Sequence, residues 1–268
     1  SVSSEPDRRL VTEQIIKPAP AGHPIPLSYS QQQMWFINRY MGANAAYNIA
    51  FAFELPKRIC VTTLSLTLEQ LLLRHAALGT SFAEQNGQPV QVIDRSPSSV
   101  ILEVHSTDRT IAQIRQQESA YPFDLVKDKL CRIRLVRSSE SMRTLLLVTM
   151  HHSVSDGWSS SIFFNELTEL YAANLAQAPS PLQDLPIQFS DFAYWQRKFL
   201  NRRQLETQIK YWRRQLKNLP QLLTLPMSRP RPSEQTFAGG HCSAELSEGL
   251  IRRLQKCCND TDTTLYMY

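Results

Sequence analysis

The feature that most constrains this chain is the run Thr144-Leu145-Leu146-Leu147-Val148-Thr149-Met150, apolar almost without a break and closed by His151-His152. A strand with one wet face alternates polar and apolar side chains, whereas a run without alternation marks a strand buried on both faces. The run therefore predicts a sheet whose inner strand is covered on both sides and delivers two imidazoles at its end. Asp156-Gly157 follows in the next turn. Ser159, Ser160 and Ser161 can then cap a helix whose apolar face is Phe163, Leu167, Leu170 and Tyr171.

The surrounding sequence supplies partners for such a strand. Ser28 followed by Gln31 is a capping box, and Met34, Ile37 and Met41 recur behind it at helical spacing. Tyr47, Ile49, Phe51, Phe53 and Leu55 alternate with Asn48, Ala50, Ala52 and Glu54, the period of a strand with one buried face. Leu64, Leu68, Leu71 and Leu72 form the stripe of a helix ending near Leu78-Gly79. Residues 90–92 and 100–104 read as short strands, and 109–120 as a polar helix. Cys131, Ile133 and Leu135 alternate with Arg132 and Arg134, a strand with one wet face. Helices are predicted near 188–199 and 203–218, then a proline-rich connection over 219–232 and a helix near 247–258. Asp262 reads as the cap of one more helix, cut short within its first turns, as in a piece of a longer polypeptide. The sum is an α/β chain, specifically an α+β two-layer sandwich.

Composition narrows the function classes. At 268 residues and 42% hydrophobic content the chain can hold one large domain or two small ones. Its net charge of +5 is spread over short groups: Arg132, Arg134 and Arg137; Arg197 and Lys198; Arg202 and Arg203; Arg213 and Arg214. These read as solvated faces or as a surface suited to an acidic protein partner, with no nucleic-acid motif beside them. The five cysteines fit no metal spacing. Cys60 and Cys131 lie in apolar stretches and are predicted core residues, and this usage suits a reducing cytoplasm. No run is long enough to span a membrane. Residues 1–22, polar and proline-spotted without a signal-peptide core, read as a linker.

Successive strand side chains point to opposite faces, so one of His151 and His152 faces a cleft while the other packs inward or braces the loop. An imidazole titrates close enough to neutrality to take a proton from an attacking amine or hydroxyl. The Asp156 carboxylate can stabilise the loop through an ion pair or hold an imidazole in one tautomer. Gly157 permits a close backbone approach or a positive φ at the strand-to-helix corner. Consecutive strand histidines are poorly placed to chelate one ion, and no further ligand is clustered nearby. Ser153 and Ser155 lack the Gly-x-Ser-x-Gly elbow of a nucleophile.

His151-His152-Ser153-Val154-Ser155-Asp156-Gly157 is similar to the His-His-x-x-x-Asp-Gly signature of nonribosomal peptide synthetase condensation domains, within the chloramphenicol-acetyltransferase-like superfamily. Four further segments resemble that family in its order. Pro26-Leu27-Ser28-Tyr29-Ser30-Gln31-Gln32-Gln33-Met34-Trp35-Phe36 resembles its first motif, and Arg74-His75-Ala76-Ala77-Leu78-Gly79-Thr80-Ser81-Phe82 its second. Pro122-Phe123-Asp124-Leu125 resembles another recurrent segment, and Asp191-Phe192-Ala193-Tyr194-Trp195-Gln196 the fourth motif. In the second motif, Ala76 and Gly79 stand where the family usually carries glutamate and arginine, which removes one ion pair near the site.

The resemblance implies one of the two lobes of a condensation domain: a linker at 1–22, then the amino-terminal lobe over 23–268, truncated at the start of the second. The implied reaction is amide formation, in which a carrier-bound acceptor amine attacks a carrier-bound donor aminoacyl or peptidyl thioester. The resemblance puts His152 in the cleft to orient or deprotonate the amine, Asp156 in a structural role, the Gly157 N–H near the developing oxyanion, and His151 inward. It puts Trp158, Ser159 and Arg74 along the substrate channel. No tightly bound cofactor or metal is implied, since substrates ride on the phosphopantetheine of donor and acceptor peptidyl carrier proteins beside adjacent synthetase domains, without nucleic acid or membrane. Asp156-Gly157-Trp158-Ser159 most resembles domains that take an L-configured donor. Two other readings share these residues: a stand-alone acyltransferase using coenzyme A, and a carrier-binding module without turnover. Because the family's histidine lies in a tunnel between two lobes, the isolated lobe is expected to be inactive.

Overall fold

The computed structural model describes residues 15–56, 58–94, 96, 101–106, 108–141, 143–200, 202–220, 226, 230, 232, 242 and 244–268. In chain order the elements are β1 (Ile25–Pro26), α1 (Tyr29–Met41), β2 (Asn48–Leu55), α2 (Val61–Arg74), a 3-10 turn (Ala76–Gly79), β3 (Thr80–Gln85), β4 (Gln88–Ile93) and β5 (Ile101–Ser106). There follow α3 (Asp108–Ala120), β6 (Cys131–Ser138), β7 (Thr144–His151), α4 (Gly157–Leu175), α5 (Phe189–Phe199), α6 (Arg202–Gln215) and α7 (Glu248–Thr261). The chain forms two compact units, Ser1–Leu223 and Thr224–Tyr268.

In the first unit β7 lies inside a four-stranded sheet of order β2-β7-β6-β5, antiparallel to β2 and β6, with β5 parallel to β6. The unbroken apolar run is explained by its two covers. Leu146, Val148 and Met150 pack with Ile133 and Leu135 against the stripe of α2 (Leu64, Leu68, Leu71, Leu72) and Phe163, Leu167 and Leu170 of α4. Leu145 and Leu147 form, with Val136, a smaller cluster against Ile111 and Ile114 of α3. The predicted combination of helices packed on sheet is thus present, with helices on both faces of the larger sheet. Among the described residues no helix is long and apolar enough to cross a membrane.

Several local expectations are corrected. Arg132 and Arg134 of β6 are only partly in water: both converge on Glu118 of α3, whose side chain is 4% exposed. The helix through Leu64 ends at Arg74, and a separate 3-10 turn carries the chain to Gly79. A Cβ at Gly79 would come within 2.2 Å of the Asp94 carbonyl, so this backbone approach requires glycine. In α1 the buried residues are Gln31 and Trp35, while Met41 is exposed. Phe53 is exposed as well, because β2 is an edge strand. Cys60 is an exposed cap position of α2, whereas Cys131 is buried. The chain also forms β1 and β3, which the periodicity did not predict. Asn86 (φ 51°) and Gly87 (φ 73°) link β3 to β4, and an Asn-Gly pair between apolar segments is a strong hairpin signal.

The predicted strand at 100–104 appears as β5, with residue 100 outside the described residues, as are most of the proline-rich connection and residues 1–14 of the linker. Residues 15–20 have no regular structure, and the Ala19 N–H donates to Asp191 Oδ1 at 2.8 Å. In the second unit α7 is capped by Ser247 and terminated by Asp262, which adopts the left-handed conformation. Asp262 therefore ends a helix and does not start one. Beyond it the Met267 and Tyr268 N–H groups close a single turn on the Thr264 carbonyl.

Candidate active site

Backbone bonds fix the end of β7. The His151 N–H donates to Leu130 O (2.9 Å), the His152 N–H to Tyr47 O (2.8 Å), and the Val154 N–H to His151 O (3.0 Å). From α1, Gln31 reaches the same loop: Nε2 donates to Ser153 O at 3.2 Å, while Oε1 accepts the Ser28 N–H at 2.9 Å. Ser28 Oγ accepts the Gln31 N–H in return, completing the predicted capping box.

The two histidines occupy opposite environments. His151 is 2% exposed, between the rings of Tyr47 and Phe123 at centroid distances of 6.1 and 6.0 Å. The Ser153 N–H points at its Nδ1 (3.2 Å), and a backbone N–H can only donate, so the ring proton belongs on Nε2. Burial, reinforced by the neighbouring His152, pushes the His151 imidazole down to about 4. It is neutral at neutral pH. His152, the next residue, is exposed and lines a cavity.

Asp156 is the N-cap of α4. Its Oδ1 accepts the Ser159 N–H and the Ser159 hydroxyl, both at 2.7 Å. The bond from the Ser159 N–H chiefly, and then that from its hydroxyl, hold the Asp156 carboxyl below the usual carboxylate value. The cap expected of Ser159, Ser160 and Ser161 thus comes from Asp156, which belongs to the residues best suited to it, and Ser159 is its donor. Gly157 is the first residue of α4. A Cβ built there meets nothing within 4 Å, and its φ lies outside the positive region, so neither a close approach nor a positive φ requires a glycine within this chain. The space beside it is open.

The cavity is about 480 Å³, in the range of small-ligand sites. His152, Ser153, Asp156 and Ser159 contribute to its wall with Met34, Leu78, Met150, Ile162, Phe163, Leu185, Ile187 and Phe189. His75, Glu166 and Gln188 add a second polar group. Trp158 is 80% exposed and does not line this cavity. Nor does Arg74, which grips Glu166 through Nε (3.1 Å) and Nη2 (3.3 Å). His75, its neighbour, both contacts Glu166 (Nε2 to Oε2, 2.6 Å) and reaches the cavity. Burial opposes ionisation of Glu166, but the hydrogen bonds from His75 and Arg74 outweigh it and lower its carboxyl.

The segments singled out in the sequence are joined here by polar contacts. Gln196 Oε1 accepts the Tyr29 N–H (3.0 Å), and Arg197 Nε donates to Leu27 O (2.7 Å). Gln188 Nε2 donates to Arg74 O and its Oε1 accepts the Ala76 N–H, both at 3.0 Å. Sequence reasoning missed His75, Glu166 and Gln188 as lining residues. Glu166 had a signal: it lies on the stripe of Phe163, Leu167 and Leu170, where a carboxylate needs a partner. Among the described residues no group of three His, Cys, Asp or Glu side chains is arranged to hold a metal ion.

Residues 22–268 match the family model of the condensation domain, and the chain belongs to that family. It is 36% identical over 257 residues to a linear gramicidin synthase of Brevibacillus parabrevis, and 35% over 259 residues to chondramide synthase cmdD of Chondromyces crocatus. These matches cover 93% and 94% of this chain but 3% and 6% of those proteins. Among solved structures it is similar to the X-domain from teicoplanin biosynthesis, with a TM-score of 0.78, 25% identity, and coverage of 94% of this chain and 56% of that one. The first condensation domain of the CDA synthetase shares the fold, with a TM-score of 0.71 at 16% identity over 91% of this chain and 59% of that chain. The chain thus spans a little over half the length of these solved chains.

Proposed function

We propose that this chain carries the condensation histidine of a nonribosomal peptide synthetase, and that His152 assists attack of a carrier-bound amine on a carrier-bound thioester. The observation that carries the reading is the contrast at the end of β7: His151 is buried, neutral and bonded to its own loop, whereas His152 is backbone-pinned and open to the cavity. The acceptor α-amine adds to the donor carbonyl, the C–N bond forms and the C–S bond breaks. His152 takes the amine proton and passes it to the departing phosphopantetheine thiolate, which leaves as the thiol. Positioning two tethered reactants can contribute on the order of 7 kcal/mol, and a positioned base about 10²-fold more. Gly157 supports the reading by leaving open space at the amino end of α4, where an N–H and the helix dipole favour developing negative charge.

The partners of this reaction are the donor and acceptor carrier proteins, which bring phosphopantetheine as part of the substrate. The test is amide formation by the intact synthetase with both carriers loaded. Product that depends on both thioesters and is lost in His152→Ala supports the reading, and an unimpaired variant removes it. The 268-residue chain alone is expected to form no amide in the same assay.

A further inference from the structure

We propose that His75, held by Glu166, is a specificity-determining residue of the cavity: its free ring nitrogen accepts a hydrogen bond from a hydroxyl or amide N–H at the end of an otherwise apolar substrate side chain. The proposal rests on the preceding reading of the cavity as the site of the carrier-bound acyl group.

The argument follows the hydrogen-bonding capacity left in the second polar group. Glu166 lines the cavity, but its carboxylate already receives Arg74 Nε and Nη2 and His75 Nε2. Its side chain is 13% exposed and Arg74 answers its charge, so Glu166 is not an unpaired anion that would recruit a cationic side chain. Gln188 is engaged at both ends of its amide, by Arg74 O and the Ala76 N–H. His75 differs. A carboxylate accepts, so the 2.6 Å contact places a proton on Nε2, and whenever that is the only ring proton Nδ1 is an acceptor. Nδ1 has no hydrogen-bond partner among the described residues. Leu78, Phe163, Leu185 and Ile187 line the same cavity, together with the hydroxyl-bearing Ser30, Ser155 and Ser159. An acceptor left without a partner favours a ligand carrying a donor over its apolar analogue, because burying it unpaired costs free energy.

The experiment is calorimetric titration of the 268-residue chain with N-acetylcysteamine thioesters of norleucine and of its ω-hydroxy analogue, each with a free and with an N-acetylated α-amine. The hydroxylated thioester is expected to bind about tenfold more tightly, the value of one well-placed hydrogen bond. A preference in the acetylated pair assigns the pocket to the donor, and one in the free-amine pair to the acceptor. His75→Phe should bind both members equally. His75→Gln, which keeps an acceptor, should recover part of the preference and guards against a Phe variant that does not fold. Equal binding by the unaltered chain, or a preference that survives in a folded His75→Phe, overturns the inference and leaves the cavity reading intact. No binding of either thioester removes the cavity reading and this inference with it.

Discussion

The side-chain amide of Gln31 donates to the carbonyl of Ser153 at 3.2 Å, joining residues 122 positions apart. Gln31 is 1% exposed, and its other end accepts the Ser28 N–H, so one side chain closes the cap of α1 and anchors the loop that presents His152. Gln31→Ala would strand the Ser153 carbonyl and the Ser28 N–H in the interior, at about 1–3 kcal/mol. Urea denaturation should show that loss, and amide formation should fall further than the unfolded fraction accounts for.

Asp156 is expected to behave as a helix cap. Asparagine caps about as well as aspartate, so Asp156→Asn should melt close to the unaltered chain, whereas Asp156→Ala should lose about 1 kcal/mol. Equal melting of the Ala and Asn variants would contradict the role.

His151 supplies a pH dependence. Unfolded, it takes up a proton near 6.5; folded, it resists protonation to about 4. Between these values the unfolded chain binds more protons, so stability falls as pH drops through the window, by roughly 3 kcal/mol in all. The lowered carboxyls of Asp156 and Glu166 act in the same direction at lower pH, since their contribution is lost as pH falls through their folded values. His151→Asn keeps an acceptor for Ser153 and does not titrate, so the slope of stability against pH above about 5 should flatten. An unchanged slope would contradict the buried neutral imidazole.

At Gly79 the family's usual arginine should be harmful here. A side chain would drive its Cβ into the Asp94 carbonyl, whose own N–H donates to Gly79 O at 3.0 Å. Gly79→Arg is expected to cost about 1–3 kcal/mol by overpacking, read as a lower urea midpoint. A stabilised variant would contradict the close approach.

Much of this was legible in the sequence because it is local. The run over 144–150, the leucine stripe of α2 and the Ser28 capping box depend on periodicity and on neighbours a turn away. What was not legible is long-range pairing. Arg132 and Arg134 look solvated until α3 brings Glu118 to them, and nothing near Arg74 in sequence points to Glu166 on α4. Pattern cannot reveal which strand forms an edge, so the exposure of Phe53 was missed. The hairpin at Asn86-Gly87 carries its signal in turn chemistry, which a search for strand periodicity passes over.

The central claim is that adjacent histidines divide the work, His152 acting on the substrate and His151 holding the loop. The most direct measurement sets amide-forming rate beside melting temperature for His152→Ala and His151→Ala in the intact synthetase. His152→Ala should lose about 10²-fold or more in rate with its melting unchanged, whereas His151→Ala should melt several degrees lower through its lost buried contacts. A His152→Ala enzyme that forms amide at the unaltered rate would contradict the account.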